Sequence, residues 1–375
     1  MTLHAKLSAS GSHRWLNCSG SVQAESEYPE SNTSFAQEGT SAHELADKCL
    51  RSGDNSDQYL GAVIEGVTVD ADMVEYVQGY LDFVRSFEGE LFPEQRVDFS
   101  PWVHDGFGTS DAIVITSDKV HIIDLKYGQG VIVDAENNTQ GMLYALGVYN
   151  DYGYLLDAQD SFVIHIYQPR ANNFSEWEIS LKDLLKWGEW VKLRADEALE
   201  KDAPRTPGDK QCMFCKAKAS CPALLKFTQE IIIAEFDDLD DLQDPNKLSN
   251  AQIKKVLEGK KLIESWLSAV ESSVFAKLMN GEKFKGFKLV EGRSLRQWAN
   301  ESAAQVALLS LRDENEVFTK KLISPAQAEK LLGKKDAKQI QDLIIKPQGK
   351  PTLTTEDDKR PEFGNVENLF DELNN

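Results

Sequence analysis

The order of hydrophobic patterns along the 375-residue chain predicts an α/β fold with a mainly helical C-terminal extension. Three observations carry this. Apolar residues recur at helical spacing near 71–86, 138–149 and 181–199. Three short Val-, Ile- and Phe-bearing runs lie between the first two of these stretches. From residue 41 the order is therefore helix, strand, strand, strand, helix, strand, with one extra helix after the first.

The first forty residues are rich in Ser, Asn and Gly, with Trp15 and Cys18 among them. Ser41-Ala-His-Glu44 reads as a capping box, with Ser41 as cap and Glu44 reaching back. Leu45, Ala46, Cys49 and Leu50 give that helix its apolar side. The next helix carries Met73, Val74, Val77, Tyr80, Leu81 and Val84. Strands are expected at 94–103, 109–116 and 119–126, divided by Gly106 and Gly108 and then by Ser117-Asp118. The helix at 138–149 precedes a strand, Phe162–Tyr167, and the helix at 181–199 carries Leu184, Trp187, Trp190, Val191 and Leu193. A long helix is expected over 249–279, capped by Ser249 and stopped by Asn280-Gly281. A hairpin around Glu291-Gly292 follows over 283–298, then short helices, one starting at Ser324-Pro325.

Composition narrows the function. Hydrophobic residues make up 41% of the chain, enough for a core, and no apolar run approaches the roughly 18 residues of a membrane span. With no apolar leader at the N-terminus, the chain reads as cytoplasmic, with no membrane partner. The 41 basic and 61 acidic residues give a net charge of −20. Residues 1–250 carry −22, residues 251–350 carry +7 and residues 351–375 carry −5. An acidic body argues against a passive nucleic-acid coat and is compatible with carboxylates gathered around metal ions.

Asp124 and Lys126 lie two apart at a strand end, so they share a face. Alone, they would make a plain salt bridge. A hairpin closed by Ser117-Asp118, however, puts residue 111 opposite residue 124, bringing two carboxylates to one end of the sheet. Paired carboxylates are costly without a cation, and oxygen ligands suit Mg²⁺ or Mn²⁺. Lys126 would orient a water or stabilise charge at phosphorus. His43 is a further candidate ligand through an imidazole nitrogen, and Gln140 and Tyr144 share one face of the following helix.

Cys212-Met-Phe-Cys215 has chelate spacing, with Cys221 six residues on. A redox pair and a zinc half-site both fit C-x-x-C alone. No His follows residue 165, so a fourth ligand comes from Cys18 or Cys49, and Cys49 sits on an apolar helix face that suits packing. Four thiolates with one remote partner suit a [4Fe–4S] cluster, with zinc as the alternative.

These elements together resemble the RecB-like branch of the PD-(D/E)XK nuclease superfamily. His43, Gly108-x-x-Asp111, Asp124-x-Lys126 and Gln140-x-x-x-Tyr144 match its motifs in order, and Cys18 with Cys212, Cys215 and Cys221 matches its iron–sulfur subset. That subset includes the AddB nuclease domain and the CRISPR-associated adaptation nucleases. The whole chain, including Leu7-Ser-Ala-Ser-Gly-Ser12 and Asp358-Lys-Arg-Pro361, also looks like a phage and prophage family. The resemblance implies an αβββαβ core, a central mixed sheet flanked by helices, and divalent-metal-dependent DNA cleavage. It implies His43, Asp111 and Asp124 as Mg²⁺ or Mn²⁺ ligands and Lys126 as the catalytic lysine, with Gln140 and Tyr144 in the site. The third motif carries Asp124 where Glu is commoner. The expected job is a stand-alone exonuclease in phage DNA recombination or replication, in the host cytoplasm, with DNA as partner. A phage recombinase or single-strand-binding protein would bind through the tail. A cluster-bearing DNA-binding scaffold and an endonuclease for branched DNA are the alternatives.

The expected organisation is a nuclease domain over 1–234, an acidic linker over 235–248, a basic extension over 249–345 and a mobile acidic tail over 346–375. Lys254 and Lys261 share a face of the long helix, and the hairpin adds Lys283, Lys285, Arg293 and Arg296, with Phe284, Phe287 and Trp298 for stacking. This basic surface is the expected DNA guide; a solvated face docked on the acidic body is the plainer alternative.

Overall fold

Two short helices, α1 (Ser12–Trp15) and α2 (Ser21–Glu25), come first in the computed structural model, which describes residues 5–28, 34–156, 161–233 and 249–287. Helix α3 (Ser34–Ser52) starts seven residues before the expected cap. Ser41 is thus an interior residue, not a cap: it is fully buried, and its hydroxyl lies 3.8 Å from the Met73 sulfur. Glu44 pairs forward with Lys48 instead of reaching back. Ser-x-x-Glu is a local pattern, and a small residue packed against a neighbouring helix satisfies it equally well. A small hairpin, β1 (Val63–Ile64) and β2 (Val67–Thr68), precedes α4 (Ala71–Arg85), which Asp70 caps by accepting the Met73 N–H at 2.8 Å.

Five strands form the main sheet: β3 (Glu90–Asp98), β4 (Phe107–Ile115), β5 (Val120–Leu125), β6 (Ser161–Gln168) and β7 (Asn173–Ser180). They lie in that order, all antiparallel except β5 beside β6. The sheet is therefore mixed. The β5–β6 crossover runs through α5 (Thr139–Tyr152), capped by Asn138. The first strand ends at 98, not 103. Phe99, Trp102 and Val103 are buried loop residues whose apolar character imitates strand alternation. The β4–β5 register, Ile115↔Val120 to Ala112↔Ile123, is the one the Ser117-Asp118 turn predicts. Strand β7 was not expected. It is an edge strand with alternate residues facing solvent, so its apolar signal is thin.

Helix α6 (Leu181–Leu199) matches its expected span. The short α7 (Asp209–Met213) and α8 (Pro222–Ile233) follow around the cysteine cluster. Helix α9 (Asn250–Met279) ends before Gly281, whose φ of +84° suits a glycine. Residues 283–287 hold a turn at Lys285-Gly286 and no strand, so the hairpin does not begin at 283. The linker at 235–248, the rest of that hairpin with Arg293, Arg296 and Trp298, the helix from Ser324 and the tail lie outside the described residues.

The chain divides into two units, Met1–Val290 and Glu291–Asn375, and the second lies outside the described residues. Helix α9 falls in the first unit. Leu262 is buried with Cys212 and Leu224, and Lys218 Nζ donates to Ser265 Oγ at 2.9 Å. Among the described residues no helix is long and apolar enough to cross a membrane.

Two cores lie on the two faces of the sheet. One gathers Val120, Ile122, Ile164 and Ile166 with α5 and α6; the other gathers Ala112, Val114, Ile123 and Leu125 with α3 and α4. All six residues of β5 are buried. This central strand is where Asp124 stands.

A histidine pair closes the α4 face. His121 Nδ1 and His165 Nε2 are 2.9 Å apart, and the rings pack against Phe87 and Phe83. One nitrogen must accept, so one ring stays neutral there. Burial, then the neighbouring His121, pushes His165 down to about 4. Glu176 Oε2, 3.8 Å from His165 Nδ1, is too exposed to reverse this. Because the folded value lies below the unfolded one of about 6.5, this contribution is complete above that pH. It is lost as the pH falls toward about 4. We expect thermal stability to fall with acidification across that window, by up to about 1.4 kcal/mol per pH unit from this group. His165→Gln should flatten the dependence; an unchanged profile of melting temperature against pH would remove the pair from this role.

Candidate functional site

Three adjacent strands each bring one carboxylate to the same end of the sheet. Asp111 stands on β4 and Asp124 near the end of β5, one step beyond the last paired residues, Ala112↔Ile123, of the predicted register. Glu94 is on β3, between the pairs Pro93↔Ala112 and Gln95↔Ser110, which places it opposite Asp111. Its φ of +41° breaks the ladder at that point. His43 comes from α3, with Nδ1 3.1 Å from Asp111 Oδ1. Among the described residues, His43, Glu94 and Asp111 form the one group of three potential metal ligands with atoms all within 4.8 Å of one another.

Asp124 lies one strand further in and belongs to a second, connected set. Its Oδ1 accepts from Lys126 Nζ at 3.1 Å and from Gln140 Nε2 at 2.9 Å. Its Oδ2 is 2.8 Å from Lys126 Nζ but is buried without a well-formed hydrogen bond. Lys126 Nζ also donates to Gln140 Oε1 at 2.9 Å, and Gln140 Nε2 donates to Tyr144 Oη at 3.2 Å. Asp111 Oδ2 accepts the Leu125 N–H at 2.7 Å, tying the two sets together. Gly108 permits this packing: a Cβ there would lie 2.7 Å from the Tyr144 ring.

The electrostatics follow from burial and mutual charge. Burial lowers His43, but Asp111, with Asp124 and Glu94 behind it, outweighs burial and lifts it to about 9. Burial, then Asp111, raises Glu94 to about 7. Asp111 is held below the usual carboxylate range: burial works against this, but His43, Lys126 and the Leu125 N–H prevail. Asp124 is pushed up, by burial first and then by Asp111, against the pull of Lys126. Three carboxylates around one imidazole and one ammonium leave excess negative charge. A divalent cation held among these carboxylates would relieve the burial and crowding that raise Glu94 and Asp124. One nitrogen with carboxylate oxygens is a donor set that suits Mn²⁺ or Mg²⁺.

All six residues expected in this site, His43, Asp111, Asp124, Lys126, Gln140 and Tyr144, meet here. Glu94 was missed. The signal was present: Pro93 marks an edge strand, and extending that strand back to 90 sets Glu94 opposite Asp111.

A second cluster lies elsewhere. Cys18, Cys212, Cys215 and Cys221 line one cavity with Arg205, Thr206, Pro207 and Leu224. The Thr206 N–H donates to Cys18 Sγ at 3.3 Å and the Gly208 N–H to Cys212 Sγ at 3.5 Å. Burial lifts the Cys215 thiol to about 12. Close approach at Gly20 brings the distant Cys18 in: its N–H donates to Pro204 O at 2.9 Å, and a Cβ would meet Ala203 O at 2.4 Å. Cys49 is fully buried in the core between α3 and α4, as its apolar helix face predicts. Lys254, Lys261, Lys283 and Lys285 are exposed, and Lys254 lies 4.0 Å from Glu258.

A solved structure described as the crystal structure of SSO0001 matches 56% of this chain and 84% of its own, at 16% identity and a TM-score of 0.25. A likeness at that score carries no weight for fold or function. The family comparison is of a different order, since it spans residues 4–361: the chain belongs to DUF2800, a family of proteins of unknown function.

Proposed function

We propose that this protein is a divalent-metal-dependent DNA exonuclease with a PD-(D/E)XK core, serving phage DNA recombination or replication. The row Glu94, Asp111, Asp124 across three strands, with Lys126 against Asp124, carries the reading. The succession α3, β3, β4, β5, α5, β6, with α4 inserted, supports the nuclease core. His43, Glu94 and Asp111 would hold the cation, with Asp124 beside them. When bound, it would neutralise phosphoryl oxygens and supply a nucleophilic water at neutral pH. Lys126, fixed by Asp124 and Gln140, presents an ammonium to the charge that builds at phosphorus. Tyr144 holds Gln140 in place. Purified protein should digest linear DNA with Mg²⁺ or Mn²⁺ and stop when a chelator is added. Digestion of linear but not covalently closed circular DNA supports the exonuclease assignment; equal digestion of both favours an endonuclease.

The cysteine cavity supports a structural [4Fe–4S] cluster. Cys18, Cys212, Cys215 and Cys221 lining one cavity carry this reading, and four thiolates suit either the cluster or a tetrahedral zinc.

The DNA guide is tested by charge reversal rather than by truncation, because α9 packs beside the cysteines. Lys254→Glu, Lys261→Glu, Lys283→Glu and Lys285→Glu together should weaken DNA binding. The slope of log K against log salt should become shallower by about 0.9 for each phosphate the surface no longer neutralises. An unchanged slope would make this face a packing surface.

A further inference from the structure

The loop that leaves the sheet directly after Lys126 is pinned from two sides and carries exposed aliphatic residues. Gln168, buried at 2% exposure, lies on one side. Its Nε2 donates to Gly128 O and Val131 O, both at 2.8 Å. Its Oε1 accepts from the Val133 N–H at 3.2 Å and from Asn173 Nδ2 at 3.1 Å. The amide therefore has no hydrogen-bonding capacity left. Asn173 Nδ2 also donates to Val133 O at 2.7 Å, and Ser175 Oγ accepts the Ala135 N–H at 2.6 Å. On the other side, Arg170 lies 4.8 Å over the Tyr127 ring, pairs with Glu38 of α3 at 2.9 Å, and, with the Gln129 amide turned so that its oxygen faces the guanidinium, donates to it from Nε and Nη2 at 2.9 and 3.1 Å.

These bonds fix which side chains face outward. Val133 packs against the core and Ala135 is buried within it, while Val131 and Ile132 are 42% and 61% exposed. A lone exposed aliphatic is ordinary. Here two stand together on a rigid loop that begins at Lys126. The seven residues Tyr127–Val133 carry no charge, in a chain that is 27% charged. Such a segment cannot neutralise phosphate, but it suits the apolar face of a base.

We propose that Val131 and Ile132 are substrate-positioning residues that pack against a nucleobase of the DNA strand entering the site. This rests on the nuclease reading above. The loop would hold that base while the neighbouring phosphate reaches Lys126, so substrate recognition would include a base that is not itself read for sequence.

The test compares the full chain with its Val131→Ser/Ile132→Ser variant on linear oligonucleotides. One set carries 2-aminopurine at successive positions from the end; a second set carries an abasic nucleotide at the same positions. The wild type should change the 2-aminopurine signal at one position, and the variant should not. The variant should raise KM by about tenfold with kcat unchanged, and should bind Mn²⁺ as the wild type does. An abasic nucleotide at that position should cost the wild type a similar factor and cost the variant little. Equal abasic penalties in both proteins, or an unchanged KM, would overturn the proposal while leaving the nuclease reading intact. A wild type that binds Mn²⁺ but neither binds nor cuts DNA would overturn both.

Discussion

Replacing Asp124 by Asn should abolish DNA digestion while leaving the fold in place. Asn keeps an acceptor for Lys126 and Gln140 and removes the charge; Ala would leave the partly buried Lys126 ammonium without its partner and risk the fold. Cation affinity should fall, because the row then carries one negative charge fewer beside His43, Glu94 and Asp111. Glu94→Gln should weaken Mn²⁺ binding as well, since Glu94 offers a ligand atom within 4.8 Å of those of His43 and Asp111. Lys126→Ala should behave differently: Mn²⁺ binding persists, and the rate drops by about 10²–10³-fold, the scale of removing one preorganised charge donor. Titration calorimetry with Mn²⁺ separates the cases. Full-rate digestion by Asp124→Asn ends the assignment. Undiminished Mn²⁺ affinity in Glu94→Gln takes that residue out of the ligand set.

Anaerobically purified protein should be brown and contain iron and acid-labile sulfide, and Cys18→Ser should bleach it. The melting temperature should drop by on the order of 10 °C or more, because binding free energy at such a site is folding free energy. Cys18 joins the chain's start to residues 205–221, a junction that the Gly20 approach and hydrogen bonds such as Lys216 N–H to Glu25 Oε1 at 2.8 Å and Arg14 Nη1 to Phe214 O at 3.5 Å also support. Cys49→Ser should keep the colour, since that thiol lies in the other core. A colourless protein with stoichiometric zinc would replace the cluster with a zinc site.

Much of the fold and of the candidate site is legible in the amino-acid order. The spans of α4, α5 and α6 follow from apolar spacing, and the β4–β5 register follows from one turn. That register suffices to bring Asp111 and Asp124 together. Local signatures fail where two structures share one pattern. Ser41-x-x-Glu44 is a cap motif that here lies inside a helix, and Phe99–Val103 is a packed loop with strand-like composition.

Periodicity and turn chemistry are properties of neighbouring residues, so element order, the hairpin and the separation of Cys49 from the other cysteines can be read from the chain alone. Glu94 and the gathering of Cys18 with Cys212, Cys215 and Cys221 cannot be read with that certainty. The first depends on where an edge strand begins and on a backbone break that turns one residue toward its neighbour. The second depends on two segments nearly two hundred positions apart meeting where Gly20 leaves room. Pairing across strands and contact at zero side-chain volume are set by three-dimensional packing, which local spacing does not encode.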